Sequence, residues 1–238
     1  MLKVRIKFAK TGCMKYVGHL DIMRFFQKAI RRSQLPIRYS EGFNPHQIMS
    51  FAAPLGVGLT SEGEYLDIDL KEEVPSREAL CRLRETMVDG MEVFQFRYLP
   101  EDAANAMASV AAASYRLRYK HPQQFPFSLE QLLEAKCQFY DDAVTITIVK
   151  QTKKGQRELD LKPLIYDFSI GSDAEGIYFD LLLSTGSVDN IKPELVMQHF
   201  FATLDVVPDD HEFFIHRIDL LTRLNEDLCS LGEIGYDK

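Results

Sequence analysis

Two histidines and their neighbours are the residues whose types and spacing could do chemistry. His19 and Asp21 stand at the start of a segment with helical spacing, and His46 ends the loop Ser40-Glu-Gly-Phe-Asn-Pro-His46. Imidazole and carboxylate groups can exchange protons near neutral pH. We expect the helix start and the loop to close on each other, so that His19, Asp21 and His46 form one acid–base site.

Basic residues surround this candidate site. The first 50 residues contain ten Lys and Arg against two Asp and Glu, although the whole chain has a net charge of −7. This asymmetry indicates a surface that faces a polyanion, and the alternative is a solvated face without a partner. The candidate phosphate contacts are Arg24, Lys28, Arg31, Arg32 and Arg38.

The loop itself offers contacts to a base or a ribose. Gly42 and Pro45 bracket Phe43, and this composition is typical of a sharp turn. Such a turn could expose Phe43 as a platform on which a base stacks, or it could use the ring to anchor the loop to the core. Ser40, Gly42, Phe43 and Asn44 complete the predicted substrate-binding set.

Cofactor motifs are missing from the sequence. Its four cysteines form no CxxC pair, which argues against a disulfide framework, a zinc ribbon or an iron–sulfur cluster bound by this chain alone. No HxxxH pair, Walker loop or GxGxxG string is present, so we predict no metal or cofactor in this chain, and a metal held by His19, Asp21 and His46 stays open as the alternative. No apolar run approaches the roughly 20 residues of a membrane span, and the predicted location is the cytoplasm.

Hydrophobic periodicity predicts the elements that position these residues. Residues 2–9 alternate with a period of two, as a half-buried strand does, and residues 19–34 have the spacing of an amphipathic helix. Further strands are expected near 48–53, 64–70 and 91–99, with a second helix from Ser76 to about Val88. This strand, helix, strand, strand, helix, strand order is the ferredoxin-like arrangement.

The second half of the chain repeats this order. A strand at 113–119 precedes a helix from Ser128 to about Phe139, which the capping-box pair Ser128 and Gln131 would open. Residues 143–150 read as the next strand. We therefore predict an α+β protein of two tandem ferredoxin-like (βαββαβ) domains, with antiparallel sheets and the helices on one face. The domains would be 1–100 and 113–238, joined by a linker at 101–112.

Several strings resemble a known family. Gly18-His-Leu-Asp21, Tyr39-Ser-Glu-Gly-Phe-Asn-Pro-His46, Glu64-Tyr-Leu-Asp-Ile68, Leu159-Asp-Leu-Lys-Pro-Leu-Ile165 and His216-Arg217 are similar to the bacterial radical S-adenosylmethionine-associated family. Gln47 departs from the proline expected in many relatives. The resemblance implies a domain of unknown function that is found beside, or fused to, a radical S-adenosylmethionine protein. It therefore implies that the iron–sulfur cluster and S-adenosylmethionine are on that partner.

Three functions remain open from the sequence. The first is an accessory protein that binds tRNA or rRNA and acts with the radical S-adenosylmethionine partner in RNA modification or processing. The second is a stand-alone enzyme that modifies or cleaves RNA with His19, Asp21 and His46. The third is a structural clamp on the radical partner that does not bind nucleic acid.

Overall fold

The chain folds as a mixed α+β protein, which confirms the predicted class. The computed structural model describes residues 2–152, 155–186, 190–206 and 212–238, and side chains except those of 150–157. The helices and strands, in chain order, are β1 (Leu2–Lys10), α1 (His19–Arg32), β2 (Met49–Phe51), β3 (Thr60–Leu70), α2 (Ser76–Arg84), β4 (Met91–Tyr98), α3 (Ala106–Ser109), β5 (Ala112–Tyr119), α4 (Leu129–Lys136), β6 (Thr147–Thr152), β7 (Gly155–Asp160), β8 (Ile165–Asp173), β9 (Gly176–Ser184), α5 (Pro193–Ala202), β10 (Phe213–Leu224) and β11 (Asp227–Ser230). None of the helices within these ranges is both long enough and apolar enough to span a bilayer.

The chain divides into two compact units, and their bounds differ from the predicted domains. One unit contains residues 1–112 together with 216–238, and the other contains residues 113–215. The predicted linker thus belongs to the first unit, and the last 23 residues return to it. Arg5 on β1 explains both differences, because its guanidinium donates to the carbonyl oxygens of Ala104 and Leu231, at 3.4 and 3.5 Å.

The sheet of the first unit is largely antiparallel. β1 lies between β4 and β3 and is antiparallel to both. The far edge of β3 is shared by two strands. β2 is antiparallel to residues 66–68, and β10 is parallel to Thr60 and Ser61 at His216 and Arg217 before it pairs with β11. The beginning of β3 is thus held from both sides, which positions the polar residues that it carries.

Helix α1 packs on this sheet through the apolar stripe that its sequence predicts. Ile22, Phe26, Ala29 and Ile30 are buried, and the rings of Phe26 and Phe8 are 4.7 Å apart between centroids. The helix ends at Arg32 rather than at residue 34. Pro36 disfavours helical backbone in the residue that precedes it, so the chain must leave the helix within these few residues.

Strand β1 departs from the simple alternation that its sequence predicts. Arg5 is only 2% exposed, because residues 104–106 and 231 cover the second face of the sheet. Its guanidinium makes two hydrogen bonds with Asp67, at 2.8 and 2.9 Å. A basic residue that the period of two assigns to solvent is therefore a buried ion-pair partner.

The second unit is built around an aromatic core. β9 is antiparallel to β8 and lies between β8 and β5, and the start of β10 lies on the other side of β5. Phe168, Phe179, Phe200 and Phe201 are each no more than 2% exposed. The predicted capping box is confirmed, because Ser128 and Gln131 exchange hydrogen bonds. The strand expected at 143–150 differs, since β6 pairs with β7 in a separate hairpin.

Candidate functional site

The charges on α1 are arranged along its axis. Gly18 caps the helix with extended backbone, Asp21 lies in the first turn, and Arg31 and Arg32 lie in the last. An acidic group at the N-terminus and basic groups at the C-terminus both interact favourably with the helix dipole. Asp21, Arg31 and Arg32 are also exposed, so these charges can both stabilise the helix and contact a partner.

Three basic residues form one exposed line on α1. Arg24, Lys28 and Arg31 are spaced by four and three positions, which places them on one side of the helix. We call these three residues the basic stripe. Arg24 also contacts Asp21, with 3.1 Å between Nη1 and Oδ1, but both side chains are about two-thirds exposed. An exposed pair of this kind is weak and leaves the arginine able to exchange partners.

The other two predicted phosphate contacts lie elsewhere. Arg32 donates from Nη2 to the carbonyl oxygen of Thr86, at 3.2 Å. Arg38 follows the helix in an extended segment, where its backbone bonds to Asp69 and Ile48 at 2.8 and 2.9 Å. The five basic residues therefore do not share one line, and the basic stripe is the part of the set that the structure brings together.

The loop from Ser40 to His46 is closed at its base. The Ser40 amide donates to the His46 carbonyl oxygen at 2.8 Å, and the His46 amide donates to Ser40 Oγ at 3.1 Å. His46 Nδ1 also lies 2.8 Å from that hydroxyl. Gly42, with a φ of +113°, adopts backbone that side-chain-bearing residues rarely enter. These contacts assign His46 and Ser40 a role in shaping the loop.

Phe43 projects from this loop into solvent. The residue is fully exposed, at 105% of the reference area, whereas Phe8, Phe26 and Phe96 of the same unit are buried. The ring therefore does not anchor the loop to the core, which was the alternative left open by the sequence. Asn44 beside it is also exposed.

Gln47 holds the base of the loop against α1. It is 4% exposed, and its Nε2 donates to the carbonyl oxygen of Gln27 at 3.2 Å. Gln27 is adjacent in sequence to Lys28 and one turn from both Arg24 and Arg31. The loop is thereby attached beside the basic stripe. Proline, expected here in many relatives, has no amide side chain to make this bond.

His19 lies away from this attachment. Its ring meets Phe51 edge-on, with centroids 5.1 Å apart. Gln27 is eight residues further along the helix, about 12 Å along the axis at roughly 1.5 Å per residue. No contact joins His19 to His46 in the part of the chain that the structure describes, and no three His, Cys, Asp or Glu residues there are grouped to hold a metal. The catalytic assignment of His19, Asp21 and His46 stays a prediction.

A second polar cluster lies near His19 and was not identified from the sequence. The Arg217 guanidinium forms a two-pronged pair with the Glu64 carboxylate, at 2.8 and 2.6 Å, and its Nη2 also donates to the Ala53 carbonyl oxygen at 2.9 Å. Arg217 and Glu64 are 3% and 5% exposed. Both belong to strings that carry the family resemblance, but 153 positions separate them, so no local pattern predicts the pair.

Lys10 completes this cluster. It is 2% exposed, and its ammonium donates to the Lys15 carbonyl oxygen at 3.4 Å, which is a long hydrogen bond. Burial lowers the pKa of Lys10 below its usual value, and the Arg217 charge lowers this pKa further, while Glu64 opposes both. The charge composition of the first 50 residues includes Lys10 in the predicted basic surface, whereas the structure buries it.

Replacing Lys10 by methionine is expected to stabilise the protein at pH 7 by about 1–3 kcal/mol, because a buried ammonium with one long hydrogen bond costs free energy. The folded state has the lower pKa, so between that value and the ordinary 10.5 the unfolded chain binds more protons, and stability rises with pH. Urea unfolding at several pH values should show the variant's advantage shrinking as the pH approaches 10.5. A difference that is constant over this range would contradict the assignment.

Comparisons with solved structures give distant likenesses only. A chain of the Cbf5-Nop10-Gar1 complex is similar over 91% of this chain, with 9% identity and a TM-score of 0.48, and this chain spans 48% of its length. An unknown protein from Galdieria sulphuraria is similar over 94% of this chain and 99% of its own, with 10% identity and a TM-score of 0.25. TM-scores this low carry no argument about fold or function.

Comparison with protein families is more informative. No curated protein matches the sequence. A family model described as an uncharacterized protein conserved in bacteria, DUF2344, matches residues 3–193. The match contains β1, α1, the loop from Ser40 to His46, and Glu64 of the buried pair. On this match, the chain belongs to the DUF2344 family of bacterial proteins.

Proposed function

We propose that this protein binds RNA through the basic stripe of α1 and the loop from Ser40 to His46. The observation that carries the proposal is the fully exposed Phe43 on a loop that Gln47 attaches beside the basic stripe. A large aromatic ring held in solvent contributes nothing to the core. Next to three basic side chains, it has the chemistry of a stacking platform beside a phosphate track.

The basic stripe and the loop from Ser40 to His46 would make different contacts with the RNA. Arg24, Lys28 and Arg31 would contact phosphates, which supplies affinity and positions the strand without reading sequence. Phe43 would stack on an unpaired base, and Asn44 could hydrogen-bond to a base edge. RNA loops and single strands offer such splayed bases, whereas a duplex keeps its bases stacked, so tRNA or rRNA loops are the proposed targets.

A ferredoxin-like fold for each unit is also part of the proposal. In the first unit the order β4, β1, β3, β2 with antiparallel neighbours supports it. In the second, β10, β5, β9 and β8 follow the same order, with the β6–β7 hairpin inserted before β8. An experimental structure in which β4 does not pair with β1 would contradict the assignment for the first unit.

The partner is proposed from the family resemblance. Cys13, Cys81 and Cys137 are exposed and widely spaced in sequence, so we propose that the iron–sulfur cluster and S-adenosylmethionine belong to a radical S-adenosylmethionine protein in the cytoplasm. Co-expression with such a protein from the same genome, followed by affinity purification, is expected to recover both chains. Recovery of this chain alone at low salt would contradict the partnership.

Salt-dependent RNA binding is the direct test of the proposed function. Fluorescently labelled tRNA should bind the full chain, and the logarithm of the affinity should fall linearly with the logarithm of the salt concentration because counterions are released. Phe43→Ala should weaken binding about 5- to 150-fold, since stacking on one base contributes roughly 1–3 kcal/mol. Its melting temperature should not change, because the ring makes no core contact.

Phe94→Ala is the matched control. Phe94 is also an exposed phenylalanine of the first unit but lies on β4. Its removal should leave RNA affinity unchanged. Equal losses in both variants, or binding that does not respond to salt, would contradict the proposed surface. Absence of RNA binding together with stable capture of the radical partner would favour the structural clamp instead.

A further inference from the structure

A small pocket in the first unit is lined by both aromatic and polar side chains. Phe8 and Phe51 form part of the apolar wall, and Lys10, His19 and Glu64 line the pocket as well. The concavity contains about 280 Å³ of empty space with its open mouth included. Beneath the mouth, it has room for about one small polar group.

The charges around this pocket do not balance. Arg217 and Glu64 neutralise each other in their two-pronged pair, and Lys10 adds a further positive charge. All three side chains are at least nine-tenths buried. A buried charge is expensive unless it is paired and hydrogen-bonded. With Arg217 counted behind Glu64, the three charged groups around the pocket carry a net charge of +1.

The Lys10 ammonium also lacks hydrogen-bond partners. It has three N–H donors, and its one recorded acceptor within the described chain is the Lys15 carbonyl oxygen at 3.4 Å. That carbonyl oxygen already accepts from the Gly58 amide at 2.8 Å. At least two strong donor directions at Lys10 are thus available to a guest in the pocket.

We propose that this pocket binds the carboxylate of a small organic acid, with the Lys10 ammonium as its counter-charge. A carboxylate supplies the missing negative charge and two acceptor oxygens in one plane. The small volume of the pocket favours this group over a bulkier tetrahedral phosphate. Phe8 and Phe51 would pack against a short apolar or aromatic remainder. Neither the basic stripe nor Phe43 takes part, so the site is independent of RNA binding.

Titration with acetate and benzoate tests the proposal on the full chain. With lysine labelled at Cε, the Lys10 signal should move saturably in the millimolar range and by more than any other lysine signal. The Lys10→Met variant should bind at least tenfold more weakly when binding is followed by melting temperature. Lys3→Met is the matched control, because Lys3 lies on the same strand outside the pocket, and it should bind as the parent chain does.

Neutral and inorganic probes separate the site from general ionic effects. Acetamide has nearly the shape of acetate without its charge, and it should leave the Lys10 signal in place, as should chloride at equal ionic strength. The proposal is overturned if no lysine signal saturates, if another lysine moves most, or if Lys10→Met binds as tightly as the parent. If the Lys10→Met variant does not fold, the titration of the labelled parent chain by itself tests the proposal.

Discussion

Arg217→Met is expected to lower the free energy of unfolding by about 3–5 kcal/mol, because it leaves the Glu64 carboxylate buried without its partner. The guanidinium donates two hydrogen bonds to Glu64 and another to the Ala53 carbonyl oxygen. Methionine keeps much of the volume but donates no hydrogen bond. Urea unfolding followed by circular dichroism measures the loss, which is a large fraction of a typical domain's stability.

The double variant Arg217→Met, Glu64→Leu distinguishes the lost pair from lost packing. Replacing both members of a buried ion pair by apolar residues is often nearly neutral, so the double variant should recover most of the stability. Arg24→Met is the exposed control and should change stability by at most about 1 kcal/mol. A double variant as unstable as the single one would show that the pair itself is not the cause.

Charge reversal on the basic stripe is expected to have the largest effect on RNA binding. Lys28→Glu with Arg31→Glu should reduce tRNA affinity by about 100-fold at 0.1 M salt, because two phosphate contacts become repulsive. The slope of log affinity against log salt should become shallower by about 1.4, at roughly 0.7 per phosphate on a single strand. Fluorescence anisotropy at four or more salt concentrations measures both quantities.

Arg77→Glu with Arg82→Glu is the matched control for this variant. Both residues are exposed on α2, so the change in net charge is the same while the location differs. The control should retain most of the affinity. If both double variants lose affinity equally, binding depends on net charge rather than on the basic stripe, and the assignment of the surface is wrong.

The first 50 residues are less basic at their surface than their composition suggests. Arg5 is paired with Asp67, Lys7 contacts Asp219 at 3.3 Å, and Lys10 is buried beside the Arg217–Glu64 pair. Arg5 and Lys7 therefore hold the first unit together through ion pairs, and burial removes the Lys10 charge from the surface. The charge that faces solvent as a line is the basic stripe of α1, and this is why the proposed surface is narrow.

Local patterns determined the elements correctly where packing agrees with periodicity. The apolar stripe of α1 and the capping box at Ser128 are properties of neighbouring residues, so the sequence contains all the information they need. The same holds for the turn around Gly42. The strand expected at 143–150 begins four residues later, as β6 (Thr147–Thr152), and periodicity does not say that β7 is its partner.

The sequence by itself thus determined the α+β class, the amphipathic first helix and the composition of the exposed loop. Only the tertiary structure decided that Phe43 faces solvent, that His19 meets Phe51 edge-on, and that residues 216–238 return to the first unit. The physical reason is that burial and pairing depend on long-range contacts. Glu64 and Arg217 illustrate it, since only the folded chain brings residues 153 positions apart within hydrogen-bonding distance.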